Sequence, residues 1–186
     1  MMKRAIFIGI LVCAINVTAQ AQNVAIKTNM LYWATTTPNL GTEFAINRHF
    51  TTELWGAYNS WKFKNQMKLN IYMIQPEVRY WPCQKFEGHF FGIHGHFAHF
   101  NMGMIPFISS MKNILYRGDL YGGGVSYGYH WAIASRWGLE LNIGAGYMNL
   151  KYDKYQCADC AEPLGSYQRN YFGITRAGIS VLYFIR

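Results

Sequence analysis

One stretch of the sequence decides the fold: Tyr72-Met73-Ile74-Gln75-Pro76-Glu77-Val78-Arg79-Tyr80. Side chains alternate between the two faces of a β-strand. From Gln75 onward, one face of this strand therefore carries polar residues, namely Gln75, Glu77 and Arg79, with Met73 before them. The other face carries large apolar or aromatic residues, namely Tyr72, Ile74, Val78 and Tyr80. This division is typical of a membrane strand, with lipid on one side and a polar barrel interior on the other.

The same alternation recurs along the chain, and the charged residues of the polar faces are few and of opposite sign. They are Lys27, Glu43, Glu53, Glu77, Arg79, Glu140 and Arg176. No strand interior carries a full charge on its apolar face, where an Arg or Lys at the bilayer midplane would cost roughly 2–4 kcal/mol. Soluble sandwiches also alternate, but their polar face is the outer one. We therefore expect these seven residues to form an ion-pair network inside a narrow, filled lumen.

Eight strand-like runs are separated by turn residues, at 23–33, 39–47, 50–59, 69–81, 88–101, 118–130, 136–149 and 170–185. The connections at 47–49, 82–87 and 131–135 are short, whereas those at 60–68, 102–117 and 150–169 are longer; the first, at 34–38, is also short. Outer-membrane barrels have short periplasmic turns and longer external loops. The pattern predicts an all-β fold, an eight-stranded antiparallel up-and-down transmembrane barrel. Inward glycines would make room for its bulky lumen residues: Gly122, Gly124, Gly128, Gly144, Gly146 and Gly178.

Composition and the N-terminus fit an exported membrane protein. Aromatic residues make up 17% and charged residues 14% of the chain, whereas a soluble domain carries about 25% charged residues. Lys3 and Arg4 precede a short apolar run at 5–15, and Ala19-Gln20-Ala21 has the form of a signal cleavage site. We expect residues 1–21 to be a cleaved signal peptide and 22–186 to form a single barrel domain in the outer membrane.

Two histidines are the strongest candidates for a lumen site. His94 and His96 lie two residues apart and so share the inward face of their strand. They could bind a metal with Glu77 as a third ligand, but a zinc site needs three or four ligands of fixed geometry. We favour hydrogen-bonded members of the lumen network, because buried polar groups are normally satisfied. We expect no metal and no cofactor.

The cysteines predict one small disulfide. Cys157 and Cys160 lie in the last long connection, and in an exported protein we favour a loop-closing disulfide over half of a metal site. Cys83 lies in a short turn at the opposite end of the barrel. It would be separated from the other two by the hydrocarbon thickness of about 30 Å, too far for a disulfide. We expect it to be unpaired within the chain.

Several segments resemble a family of small outer-membrane barrels from Bacteroidetes that is catalogued as a domain of unknown function. The matching segments cover nearly the whole mature chain; they are 27–32 with 37–41, 75–81, 88–94, 123–129, 152–155 with Cys157 and Cys160, and 170–173. The resemblance implies an outer-membrane barrel and supplies no reaction. Some relatives look associated with surface-fimbria genes, which implies a role in assembly or at the surface.

The leading functional hypothesis is therefore a non-enzymatic barrel that interacts with surface components or assists appendage assembly. Basic residues in the long connections would favour anionic lipopolysaccharide, although ordinary solvation explains them too; they are Lys62, Lys64, Lys68, Lys112, Arg117, Lys151, Lys154 and Arg169. Nucleic-acid binding has no support. The alternative is a lipid-modifying enzyme, for which Ser126 and His130 are the simplest candidates for nucleophile and base. They are four residues apart on one strand, roughly 13 Å, and so would not touch; Ser180 with a lumen histidine is left open.

Overall fold

The computed structural model describes residues 23–62, 68–103, 114–156 and 162–185. Within these ranges each strand pairs antiparallel with the next, and the last pairs with the first, so the sheet closes into an eight-stranded barrel. The predicted all-β, up-and-down topology is confirmed. The elements in chain order are β1 Val24–Asn29, α1 Met30–Ala34, β2 Asn39–Ala45, β3 Phe50–Lys62, β4 Lys68–Tyr80, β5 Gly88–Gly103, β6 Leu115–Ala132, β7 Trp137–Tyr155 and β8 Gly165–Ile185.

The first strand is shorter than predicted. The sequence predicts a strand over 23–33, which is wrong beyond Asn29, where the chain turns into α1. The Asn29 side chain accepts a hydrogen bond of 3.0 Å from the Leu31 N–H and so caps the helix. A cap depends on this side-chain bond rather than on hydrophobic periodicity, and residues 30–33 are uniformly apolar or aromatic. The wall of the barrel is therefore shorter along the barrel axis at β1 and β2 than at the later strands.

The last three strands are longer than predicted. The pairing of β6 with β7 continues to Leu115 opposite Tyr155, and that of β7 with β8 continues to Lys154 opposite Gly165. The predicted connections at 102–117 and 150–169 are thus partly strand. Several basic residues assigned to loops lie on strands instead: Arg117, Lys151, Lys154 and Arg169. The membrane pattern missed these segments because they alternate tyrosine with charge rather than apolar with polar.

The register of β7 and β8 contains one β-bulge. Gly144 pairs with Arg176 and Ala145 pairs with Ile174, which leaves Thr175 as the extra residue. A bulge shifts the alternation of side chains by one residue beyond it. Arg176 is buried and Thr175 half-buried, and the Thr175 hydroxyl reaches the lumen residue His94. Two consecutive residues of β8 therefore contribute to the lumen.

An apolar layer fills the end of the lumen that lies near the 82–87 turn, here called the lower end. Trp81 and Phe90 pack with their ring centroids 4.9 Å apart, and Phe86 packs edge-on against Phe184 at 5.1 Å. Ala25 and Leu182 complete this cluster and are fully buried. The lower end is therefore closed by side chains from β1, β5 and β8, by Trp81 directly after β4, and by the turn.

The outer wall of the barrel is apolar and exposed. A middle band consists of branched residues, of which Ile93 is 72% and Val125 63% exposed; its members are Leu54, Val78, Ile93, Val125, Ile143 and Ile174. Exposed aromatic residues lie below this band, as a lower aromatic ring of Phe50, Tyr80, Tyr127, Trp131 and Trp137. An upper aromatic ring lies above it and consists of Trp33, Tyr58, Tyr72, Phe97, Tyr121 and Tyr147. Within the described ranges, no helix is long and apolar enough to cross a membrane.

Candidate functional site: the filled lumen and the projecting sheet

All seven charged residues predicted for the lumen come together above the apolar layer and form one ion-pair cluster. Each of them is buried. Lys27 enters from β1, and its Nζ lies 2.7 Å from Glu43, 2.9 Å from Glu53 and 3.2 Å from Glu140. One ammonium group thus joins carboxylates from β2, β3 and β7. It donates a hydrogen bond to each of them.

Arg79 lies at the centre of this cluster and pairs with all four glutamates. Its Nη1 lies 2.8 Å from both Glu43 and Glu140, its Nε lies 2.6 Å from Glu77, and its Nη2 pairs with Glu53. The guanidinium also lies over the Phe90 ring, 4.3 Å from the centroid. The planar fork of an arginine can serve several carboxylates at once, which a lysine ammonium does with less fixed geometry. The cluster therefore depends on arginine at this position.

Arg176 and several neutral side chains complete the cluster. Arg176 Nη2 lies 2.8 Å from Glu53, and its Nη1 lies 3.4 Å from Glu77. The neutral donors are Thr51, at 2.6 Å from Glu43, Asn142, at 2.8 Å from Glu140, and Ser126, which donates to Glu77. Apart from histidines, four carboxylates face three cations, so the described cluster carries one more formal negative charge than positive.

Glycines leave the space that these side chains occupy. A Cβ on Gly128 would meet the Phe90 ring, one on Gly144 would meet His94 at 2.9 Å, and one on Gly178 would meet Asn142 at 2.8 Å. Gly128, Gly144 and Gly178 thus make room as the inward glycines were predicted to do. At Gly122, Gly124 and Gly146 the nearest atoms are the backbone of the neighbouring strand, so these three permit close strand approach; Gly122 also lies against His96. Three further glycines were not predicted: Gly41, against Lys27 and Trp55, Gly92, against Glu77 and Ser126, and Gly138, against His130.

His94 and His96 lie in the lumen above the ion-pair cluster, with ring centroids 5.8 Å apart. Both are buried, and His94 Nε2 lies 2.9 Å from the Thr175 hydroxyl. Glu77, the third ligand considered for a metal, pairs with Arg79 and Ser126. Nowhere in the described part of the chain do three His, Cys, Asp or Glu side chains form a group that could hold a metal ion.

The residues considered for hydrolysis are held apart by other contacts. The Ser126 hydroxyl donates to Glu77, whereas His130 packs edge-on against Trp81 at 6.3 Å and against Phe184 at 5.8 Å. Ser180 is buried opposite Glu140 and Asn29 in the register. The lumen thus presents a packed charge cluster. Among the contacts of the described residues, neither Ser126 nor Ser180 lies beside a histidine; the hydroxyl that does is that of Thr175, 2.9 Å from His94 Nε2.

The cysteines fall at both ends of the barrel. Cys83 is exposed with a free thiol, beside the lower end. Cys157 and Cys160 lie outside the described residues, as do Lys64, Lys112 and the predicted signal peptide at 1–21. The proposed disulfide therefore stays a prediction.

Above the upper aromatic ring, β3 and β4 continue by four residues and β5 to β8 by six or more. The part formed by residues 115–120, 148–155 and 165–170 is here called the projecting sheet. One of its faces carries a row of tyrosines: Tyr116 and Tyr152 lie 5.7 Å apart, and Tyr152 stacks on Tyr167 at 5.7 Å. Lys154 Nζ lies over the Tyr167 ring at 4.2 Å and near the Tyr116 ring at 5.8 Å. Rings of this kind, with a cation held among them, are typical of recognition surfaces.

The other face of the projecting sheet is polar and mixed in charge. Arg117, Asp119, Lys151, Asp153 and Gln168 surround a shallow cavity of about 520 Å³. Arg117 also lies over the Tyr155 ring, 5.0 Å from its centroid. Unlike the lumen, this face has charged groups that are accessible to a ligand in water.

A family model described as protein of unknown function (DUF3575) matches residues 7–185. The chain belongs to the DUF3575 family. The resemblance to a family of unknown function is thus confirmed, while its attribution to Bacteroidetes stays a prediction. A search of the curated proteins found no match.

For this DUF3575 chain, sequence reasoning found the ion-pair cluster and missed the projecting sheet. Opposite charges on inward faces identify the cluster. The tyrosines at 116, 152 and 167 carry no such signal, because tyrosine is equally common in a membrane ring. One fact could have revealed part of the row: Tyr116 lies two residues before the predicted strand at 118–130.

Proposed function

We propose that this protein is a non-enzymatic outer-membrane barrel that holds its projecting sheet above the cell surface to bind surface components. In this proposal the predicted signal peptide exports the chain, the barrel spans the membrane, and the projecting sheet faces the outside. Its partners are lipopolysaccharide and other surface molecules, including subunits of a surface appendage whose assembly it assists.

The outer wall supports the location. Exposed branched residues between two aromatic rings are the pattern of a barrel that contacts acyl chains and headgroups. Tyr72 and Tyr80, one in each ring, are eight residues apart on β4, about 26 Å at roughly 3.3 Å per residue. A strand tilt of about 40° reduces this to about 20 Å along the membrane normal, near the apolar band of outer-membrane barrels.

The observation that carries the role is the projection of β5 to β8. Their six to eight residues beyond the upper ring extend the sheet by about 20–26 Å. A barrel that only filled a gap in the bilayer would not need these strands. A filled lumen leaves the sheet as the accessible polar surface of the described residues.

Cysteine labelling in intact cells tests the location and orientation. One variant keeps Cys83 alone (Cys157→Ser, Cys160→Ser), and a second carries Gln168→Cys with Cys83, Cys157 and Cys160 replaced by Ser. A membrane-impermeant maleimide should label position 168 in intact cells and Cys83 only after the outer membrane is opened. Labelling of Cys83 alone in intact cells, or of neither position until the cells are opened, would contradict the proposal.

A second candidate, a lipid-modifying enzyme, is favoured by one feature of the outer wall. An apolar groove of about 620 Å³ crosses β4 to β8 between Tyr80, Ile93, Val125 and Ile174, and it has the size and lining for an acyl chain. Lipid A and phospholipid profiles of a strain lacking the gene discriminate between the two functions. An unchanged profile is expected for a recognition barrel, whereas accumulation of an unmodified lipid would favour the enzyme.

A further inference from the structure

The seam between the first and last strands leaves part of β8 without a second neighbour. β1 pairs with β8 from Val24 opposite Ile185 to Asn29 opposite Ser180. Above Ser180, the only described strand that pairs with β8 is β7, which does so up to Gly165. None of the described strands therefore pairs with this edge of β8 over 165–179, because β1 ends and α1 begins.

The pattern of hydrogen bonds shows which backbone groups point to this free edge. The Asn29 side chain donates to the Ala177 carbonyl at 3.1 Å and accepts from the Ile179 N–H at 3.3 Å, so both groups point away from β7. Groups on an antiparallel strand alternate between its two edges, and the bulge at Thr175 shifts this alternation by one residue. Beyond the bulge, the residues whose N–H and C=O face the free edge are Ser166, Gln168, Asn170, Phe172 and Ile174.

The residues along this edge include few of those that usually protect an edge strand, although α1 also lies beside β8. Proteins place proline, lysine or a covering element along an exposed edge to prevent further pairing. Residues 165–174 contain neither proline nor lysine, and Arg169 is their one charged residue. Asn29 covers the edge only at Ala177 and Ile179. The open backbone groups of 166, 168 and 170 also lie above the upper aromatic ring, where the side chains become polar and a partner in water can reach them.

We propose that the free edge of β8 at 165–170 binds an extended segment of another polypeptide, which adds to the projecting sheet as a further β-strand. Backbone hydrogen bonds supply affinity in this mode, and alternate side chains supply specificity. The inference deepens the proposed function, on which its biological setting rests, by naming the class of partner as a polypeptide strand.

The side chains of β8 indicate which residue types the bound segment should carry. Tyr167 and Arg169 share the face that carries the tyrosine row, so a bound strand should place an acidic and an aromatic residue beside them. Gln168 and Asn170 occupy the other face and fit hydroxyl or amide residues. A second copy of this chain fits less well: two barrels in one bilayer share an orientation, so their β8 edges would run parallel, the slightly weaker arrangement.

Hydrogen exchange of the full mature chain in detergent micelles tests the edge itself. The N–H groups of 166, 168 and 170 should exchange rapidly, whereas those of 167, 169 and 171 should be protected by pairing with β7. Addition of a synthetic peptide that alternates threonine with glutamate and tyrosine should then protect 166, 168 and 170. Equal protection of both sets in the free protein would overturn the proposal, because the edge would already be covered.

Two variants separate strand addition from side-chain binding. Asn170→Pro removes an edge N–H that β7 does not use, a position where proline is tolerated, and should weaken peptide binding by about tenfold or more. Asn170→Ala loses the same side chain, including its 2.5 Å contact with Asn149, yet keeps the N–H and should bind as the parent does. Heat-modifiable gel mobility shows that both variants remain folded.

Reversal of the charge at position 169 tests whether the bound segment contacts the face that carries Tyr167 and Arg169. Arg169→Glu should shift preference from the glutamate peptide to a matched lysine peptide. Unchanged peptide affinity in Asn170→Pro, no binding of either peptide, or self-association that Asn170→Pro abolishes would each overturn the proposal. These measurements use purified protein, so they can fail while surface labelling at position 168 succeeds, and the reverse.

Discussion

At the scale of single residues, Arg79 is the only cation of the ion-pair cluster that contacts all four glutamates. Lys27 and Arg176 each pair with fewer of them. Removal of one partner from a buried charge network leaves the others unpaired in a low dielectric, which costs far more than the network contributes to stability. The consequences of a substitution therefore depend on which sign of charge it removes.

Arg79→Met should destabilise the barrel by roughly 3–5 kcal/mol, because four buried carboxylates would share two cations. Glu77→Gln should cost only about 1 kcal/mol, since it removes the excess negative charge, its amide oxygen can accept from Arg79, and the Ser126 hydroxyl can accept from its NH2 group. Urea unfolding in micelles, followed by tryptophan fluorescence, measures both. Arg48→Ala, at an exposed turn position, is the control. Equal losses for Arg79→Met and Glu77→Gln would contradict the importance of charge balance.

The charged members of the cluster were predictable from the sequence. A charge on the lipid-facing side of a membrane strand is costly, so the charged residues are expected on the inward face, and the alternation of side chains identifies that face. The neutral donors Thr51, Ser126 and Asn142 were not assigned contacts. Serine and threonine occur on both faces of a strand at little cost, and their partners depend on the register between strands. Sequence alternation gives the face of a residue but not its neighbour across the lumen.

At the scale of elements, Asn29 connects three structures at the top of β1. Its side chain caps α1 through the Leu31 N–H and bonds both Ala177 and Ile179 of β8. A strand predicted over 23–33 thus ends at a residue whose contacts are with a distant strand. Local periodicity contains no information on such contacts, which is why the helix was not predicted.

Asn29→Ala should destabilise the barrel by about 1–3 kcal/mol, because it removes a helix cap and leaves two backbone groups of β8 without partners. The expected local effect is faster amide exchange at Leu31 and Ile179, measured by NMR in micelles. Met30→Ala, one residue further on and on an exposed side chain, should leave both rates unchanged. Protection of Ile179 that survives in Asn29→Ala would show that another group holds the edge.

At the scale of the whole molecule, strand count, closure and the filled lumen were all visible in the sequence. They follow from one requirement, that every charge of a narrow barrel must face inward and find a partner there. The projecting sheet was not visible, because in the proposed location it lies outside the membrane, where no such requirement acts on its strands. Fold and interior were therefore predictable, whereas the surface that carries the proposed function was not.

The purified protein should form no stable ion-conducting pore in a planar lipid bilayer. The apolar layer of Trp81, Phe90 and Phe184 and the ion-pair cluster above it occupy the lumen in series, and an eight-stranded barrel has no space to spare around them. A wide porin inserted under the same conditions is the positive control. Reproducible single-channel steps from the parent protein would show that the lumen opens.

The short pairing between β1 and β8 affects how the barrel closes. Lys27 stands on the first strand, while two of its neighbours in the cluster, Glu140 and Arg176, stand on the seventh and eighth. Until the chain's two ends meet, the carboxylates of a half-rolled sheet lack one of their three counterions. In the proposed membrane location they would also be open to hydrocarbon, so we expect insertion and ring closure to occur together and a partly closed intermediate to be unstable inside the membrane.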